Sequence, residues 1–301
     1  MGILIIVLTI LGLCIFEVIT SVDNAIINAE VLSTMTTRGR KWFLSWGMLF
    51  AVFVVRGLLP FLILWATMPN LSPIELIKLT LTSNDAIRAS IKESSHVLLL
   101  GGGIFLLFIF LHWLFLEPKN FGLRGERFFN SKGAWFFATA SVVLTLIVWF
   151  ALKKDSMLAF GAVIGSTTFF IVHGFRQYAE EKEKNLVKYA ISDFSKIIYL
   201  EILDLTFSID GVVGAFAFTL SVPLILIGNG LGAIILRRIT VSNIERIKRY
   251  IYLKNGAMYS IFFLGLIMIT DGFGKEIPPW LSPVIMLITV SYFFKKSGSI
   301  S

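Results

Sequence analysis

Glu201-Ile202-Leu203-Asp204-Leu205-Thr206-Phe207-Ser208-Ile209-Asp210-Gly211 lies inside an apolar run that extends from about 196 to 220. A run of that length crosses hydrocarbon as one helix, since a span needs about 20 apolar residues. It nevertheless carries three acids. Each ionisable group at mid-depth costs at least about 2.5 to 3.5 kcal/mol on insertion scales, so such groups are kept where they serve a function. The run therefore reads as a membrane helix with a site on it.

A second run of the same kind opens the chain. Glu17-Val18-Ile19-Thr20-Ser21-Val22-Asp23-Asn24 sits in an apolar stretch from 3 to 33, followed by Asn28 and Glu30. Shifted by 187 positions, Glu17 falls on Asp204, Ser21 on Ser208 and Asp23 on Asp210. Gly47 precedes Arg56 by nine residues, as Gly228 precedes Arg237. This is an internal repeat.

The rest of the chain agrees with a membrane setting. Of its 301 residues 56% are hydrophobic and 15% charged, against about 25% charged in a soluble domain. A water-soluble fold is excluded. Apolar stretches at 3 to 33, 42 to 68, 97 to 116, 134 to 151, 157 to 175, 196 to 220, 222 to 237, 256 to 273 and 280 to 294 give about nine expected transmembrane helices. Helices are required because lipid offers the backbone no hydrogen-bond partner, and no alternation suited to a barrel is present. The expected class is an all-α polytopic membrane protein. Its parts are a first repeat at 1–116 with a long loop at 69–96, connecting spans at 117–195, a second repeat at 196–275, and a final span and tail at 276–301.

The net charge of +8 reads as topology rather than as a nucleic-acid surface. With the N-terminus outside, the inner segments collect Arg38, Arg40 and Lys41, then Lys119, Arg124, Arg127 and Lys132, then Arg176 to Lys196, then Arg237 to Lys254, then Lys295 and Lys296. The outer segments hold only scattered Lys and Arg. This orientation inverts one repeat relative to the other, the design of secondary transporters with a site near mid-membrane. Membrane lipid is the expected surroundings and nucleic acid is not an expected partner. A cleaved signal peptide is not expected, because Met1-Gly2-Ile3-Leu4-Ile5 lacks a basic start. Cys14 is the one cysteine, so no intrachain disulfide can form.

On an ideal helix Glu17, Ser21 and Asn24 share a face, as do Glu201, Asp204 and Ser208, whereas Asp23 and Asp210 are offset. A break near Thr20 and Ser21, and another near Ser208 and Gly211, would bring the offset acids round. The expected ligands are Glu17, Ser21, Asp23, Asn24, Asp204, Ser208 and Asp210, with Glu201, Asn229 and Arg56 as secondary candidates. Oxygen donors without His or Cys suit a hard divalent cation such as Mn, Mg or Ca. Protons are the expected counter-ion, because protonation relieves the acids when the cation leaves. The bland alternative is that Asp204 or Glu201 pairs with Arg56 or Arg237 as a structural ion pair.

Other marked residues read more simply. His96, His112 and His173 share no short spacing and are expected to pack rather than bind metal. Gly101-Gly102-Gly103 lacks the Lys-Ser/Thr of a phosphate loop and suits close helix contact. Asp271 reads as solvated. The loop at 69–96 reads as a lid or spacer. Ser166 and His173 lack an activating third residue, so an enzyme is not expected.

The two acidic motifs resemble those of the TerC family of integral membrane proteins, whose patterns are Glu-x-x-Leu-Ser-x-Asp-Asn and Glu-x-x-Asp-x-x-Phe-(Ala/Ser)-x-Asp-Ser. Here Thr20 stands for the Leu and Gly211 for the final Ser. Arg56, the run Gly102 to Leu107, Asn229 and Leu236-Arg237 extend the resemblance over most of the chain. It implies export of divalent metal, chiefly manganese with calcium in some members, across the bacterial cytoplasmic membrane, and a family named for tellurite resistance. No resident cofactor is implied, the metal being cargo. Two rival readings are an efflux carrier for a small amino acid or zwitterion and a non-transporting membrane scaffold in metal or tellurite stress.

Overall fold

The computed structural model describes residues 2–47, 50–66, 72–76, 85–119, 122–188 and 192–298, and side-chain statements exclude 23, 51–53, 85–94, 179–188 and 237–249. Among the described residues there are helices and no strands. The helices are α1 (Ile3–Thr20), α2 (Val22–Ser33), α3 (Thr37–Trp42), α4 (Leu59–Ala66), α5 (Asp85–Leu116), α6 (Arg124–Asn130), α7 (Phe136–Leu152), α8 (Ser156–Lys188), α9 (Asp193–Ala215), α10 (Val222–Arg249), α11 (Leu253–Gly272) and α12 (Leu281–Gly298). Between α3 and α4 the chain forms π-helical turns at Phe43–Gly47 and Phe50–Leu58.

Five helices among the described residues are long and apolar enough to cross a membrane: Ile3–Thr20, Ser95–Leu116, Gly133–Leu152, Ser156–Tyr178 and Leu253–Gly272. The apolar pieces Val54–Ala66 and Val222–Leu236 are shorter. The remaining expected stretches are helical but polar for their length, α9 through Asp193, Lys196, Glu201, Asp204 and Asp210, and α12 through Lys295 and Lys296. An all-helical chain with these helices is consistent with a membrane-embedded protein.

Helix α5 is the centre. Residues Ile104 to Phe108 are all buried, as are Leu98 to Leu100, and a helix that is apolar all round belongs inside a bundle. Its most extensive contact is with α11, followed by α8. Both rest on glycine. A Cβ at Gly103 would stand 2.8 Å from the Gly265 carbonyl oxygen, and one at Gly101 would stand 2.6 Å from that of Gly161. The triple glycine thus serves helix contact, as its sequence context indicated. At the periphery α7 exposes Phe137, Val142, Leu146, Trp149 and Phe150, an apolar surface that suits lipid. Around this centre α1 packs chiefly on α10, while α9 packs on the 50–66 segment. Each acidic helix therefore meets a helix from the other half of the chain.

The two acidic helices differ in continuity. At Ser21 (φ −96°, ψ 5°) the first one kinks between α1 and α2. Thr20 Oγ1 donates to the Phe16 carbonyl at 2.8 Å, while Ser21 Oγ donates to the Glu17 carboxylate at 2.8 Å; hydroxyls turned back on the preceding turn bend helices. The break expected near Ser208 and Gly211 is absent, because α9 runs unbroken from Asp193 to Ala215. Phe207 stands where the first copy has Thr20, so the second copy lacks the paired hydroxyls.

At one end these helices are clipped together. The Asp193 carboxylate accepts the Thr36 N–H at 3.2 and 3.3 Å and also the Thr36 hydroxyl. Lys196 Nζ donates to Thr34 O at 3.1 Å and Thr34 Oγ1 at 2.9 Å. A side chain at Gly39 would collide with the Asp193 carboxylate. Asp193→Ala is expected to remove about 1.5 to 3 kcal/mol, the range for hydrogen bonds to a charged group. Faster amide exchange confined to 34–42 and the start of α9 would report it; unchanged exchange there would count against the clip.

Candidate functional site

The kink sets Glu17 at the meeting of α1, α9, α10 and the π-helical segment Phe50–Leu58. Its exposure is 1%. Glycine makes the room: a Cβ at Gly232 of α10 would stand 2.7 Å from Glu17 Cβ, and one at Gly211 of α9 would stand 3.0 Å from Glu17 Oε2.

Arg56 reaches the same point from the π-helical segment. Pro60, four residues on, has no N–H for the Arg56 carbonyl and crowds it with its ring, a conflict that the wider π turns upstream accommodate. Such turns recur at functional sites. Arg56 Nε and Nη2 donate to Glu17 Oε1 at 2.9 and 2.6 Å, and Nη1 donates to Asp204 Oδ2 at 3.4 Å. Asn24 Nδ2 donates to Asp204 Oδ1 at 2.6 Å. One guanidinium, itself 3% exposed, thus joins an acid from each of two helices 187 residues apart.

Several neutral oxygens stand unsatisfied. Asn24 Oδ1, Ser208 Oγ, Asn28 Oδ1 and both amide atoms of Asn229 are buried and have no hydrogen-bond partner among the described residues. Leaving a buried polar group unmade costs about 1 to 3 kcal/mol, so native chains keep few of them. Asn229 lies one turn before Gly232 on the α10 face that meets α1.

Of the expected ligands, Glu17, Ser21, Asn24 and Asp204 come together around Arg56. Asp210 does not join them. Its Oδ2 accepts from Arg176 Nη2 of α8 at 2.5 Å, and that guanidinium lies 4.3 Å from the Phe207 ring. Asp23 belongs to α2, and its side chain, like that of Arg237, lies outside the described residues. Ser208 follows Asp204 by one turn on α9 and is 2% exposed. The Glu201 carboxylate packs against Gly47 at the floor of an apolar groove of about 520 Å³. Among the described residues no three of His, Cys, Asp and Glu stand close enough to share a metal ion. Two guanidinium groups divide the acids, Glu17 and Asp204 to one and Asp210 to the other.

Sequence reading missed Arg176 as a partner, since a basic residue at the edge of an apolar run carries no sign of what packs beside it. It also kept His112 and His173 apart. Their rings meet between α5 and α8 with centroids 3.9 Å apart, and Phe169 stacks on His173 at 5.6 Å. They are packing residues of an aromatic cluster that includes Phe136.

Fold and site together define a class: a helical protein with membrane-length apolar helices and ion pairs buried inside its helical bundle. Within that class the family model described as a protein of unknown function (DUF475) matches residues 22–297, and the chain belongs to that family. The match begins just after Ser21, so Glu17 precedes it. No curated protein and no solved structure matches the chain.

Proposed function

We propose that the protein is a secondary transporter that exports a divalent metal cation, Mn2+ ahead of Ca2+, through a carboxylate site between two inverted repeats. The observation that carries the reading is the convergence of Glu17 and Asp204, from helices distant in sequence, on one buried point beside Asn24, Ser21 and unsatisfied neutral oxygens. Carboxylates taken out of water are retained for ion handling in membrane helices, and oxygen donors of this kind suit hard cations. The cross-packing of α1 on α10 and of α9 on the 50–66 segment supports a repeat of 1–116 in 196–275. The TerC-like motifs support the same cargo, with nine spans, the N-terminus outside and the bacterial cytoplasmic membrane as the setting. Asp204 and Glu17 would hold the cation, Asn24 would orient Asp204 through its amide, and protonation of the acids would accompany release.

One observation favours a second reading. A guanidinium beside two acids also suits a zwitterion, with Arg56 on its carboxylate and Glu17 or Asp204 on its amine. Proteoliposomes containing the full chain separate the two. Mn2+ uptake that needs a proton gradient and falls at least about tenfold in Asp204→Asn, a loss of about 1.4 kcal/mol or more, is the expected result. Uptake of a labelled amino acid without Mn2+ movement would establish the second reading. Absence of both would leave a scaffold.

A further inference from the structure

We infer that Arg56 is a tethered cation that competes with the cargo for Glu17 and Asp204, so that it sets the affinity of the site; the inference rests on the cation-transport reading. Three observations meet in it. The guanidinium holds both carboxylates at once, through Nε and Nη2 on Glu17 and Nη1 on Asp204. It can only donate, and it leaves Asn24 Oδ1 and Ser208 Oγ without partners. A divalent ion collecting six or more oxygens would use those atoms as well.

The third observation concerns what carries Arg56. The segment Phe50–Leu58 is π-helical, and conversion of a π turn to an α turn re-aims every side chain beyond it without unfolding the helix. The groove of about 520 Å³ is lined by Phe50, Val54 and Leu58 of this segment and by Ile198 and Leu205 of α9. The segment therefore borders an apolar groove that has Glu201 among its lining residues. With Arg56 seated one of the two negative charges is offset from within; with Arg56 withdrawn both are presented to a cation. Binding of cargo and seating of Arg56 exclude one another, and return of the guanidinium expels the ion.

The test uses the full-length chain in detergent micelles with Mn2+ alone as the probe, free Mn2+ being read by electron paramagnetic resonance. Arg56→Gln is expected to bind Mn2+ about tenfold tighter or more, because the cation no longer displaces the charge-assisted hydrogen bonds of the guanidinium. Arg56→Lys keeps the charge and is expected to stay nearer the parent protein. In the unaltered chain, Mn2+ is expected to speed amide exchange at 50–58, a readout that needs no variant to fold. Binding by the parent protein with Arg56→Gln equal or weaker, or with exchange at 50–58 unchanged, overturns the inference and leaves the transport reading standing. No Mn2+ binding by any of the three proteins overturns both.

Discussion

Glu17→Ala is expected to cost about 3 to 5 kcal/mol of stability, the range for removing one partner of a buried ion pair. The reason lies with Arg56. At 3% exposure its guanidinium is shielded from water, and the loss of Glu17 removes the hydrogen bonds at 2.9 and 2.6 Å while the Asp204 contact at 3.4 Å remains. Ser21 Oγ loses its acceptor in the same change. Glu17→Gln keeps volume and an acceptor oxygen and is expected to lose less. The triple change Glu17→Leu, Arg56→Leu and Asp204→Asn, which leaves no member of the buried charge group behind, is expected to recover most of the loss, since apolar replacements of a buried pair are often neutral. Unfolding in mixed micelles would rank the three variants. A triple variant as unstable as Glu17→Ala would show that packing, rather than a stranded charge, governs this site.

The second large effect lies at the centre of the bundle. A Cβ at Gly165 of α8 would overlap the Gly101 carbonyl oxygen of α5 and come 2.6 Å from its carbonyl carbon. Backbone cannot step aside as a side chain can, so Gly165→Val must part the two helices. Overpacking costs about 1 to 3 kcal/mol in cores that adjust, and here the expected loss is at or above the top of that range. Gly174, on the same helix, has nothing within 4 Å of an added Cβ, and Gly174→Ala is expected to be neutral or to gain up to about 1 kcal/mol through helix propensity. Thermal unfolding of the pair tests this, and equal behaviour would sink it.

Much of the architecture can be read from pattern. Hydropathy locates the apolar helices, because lipid leaves a backbone no other arrangement. The kink at Ser21 follows from two adjacent hydroxyls one turn after a buried acid. The unbroken α9 shows where analogy between the copies fails: Glu17 matches Asp204 and Ser21 matches Ser208, yet Phe207 stands in place of Thr20, and the Thr206 hydroxyl that turns back on Ile202 one position earlier leaves the helix unbroken. Helix-face arithmetic put Glu17, Ser21 and Asn24 together, and they do meet around Arg56. What pattern did not hold is which charge sits opposite which. Arg56 was visible as a partner for Asp204, but its grip on Glu17 depends on a π-helical register that periodicity does not encode. The pairing of Arg176 with Asp210 depends on how α8 crosses α9, a property of tertiary packing with no local signature.

The clip at Thr34, Thr36, Asp193 and Lys196 fixes a pivot for the two acid-bearing helices. Arms joined at one end can part only like the legs of a pair of compasses. Asp204 lies eight residues beyond Lys196, about 12 Å of helix, and the far end of α9 lies nineteen beyond it, about 29 Å at 1.5 Å per residue. A swing that moves the far end by about 7 Å therefore opens the gap at Asp204 by about 3 Å, by lever proportion over those lengths. A wide gesture at one face becomes a fine adjustment at the charges, and a change that lengthens or loosens the joint would coarsen it.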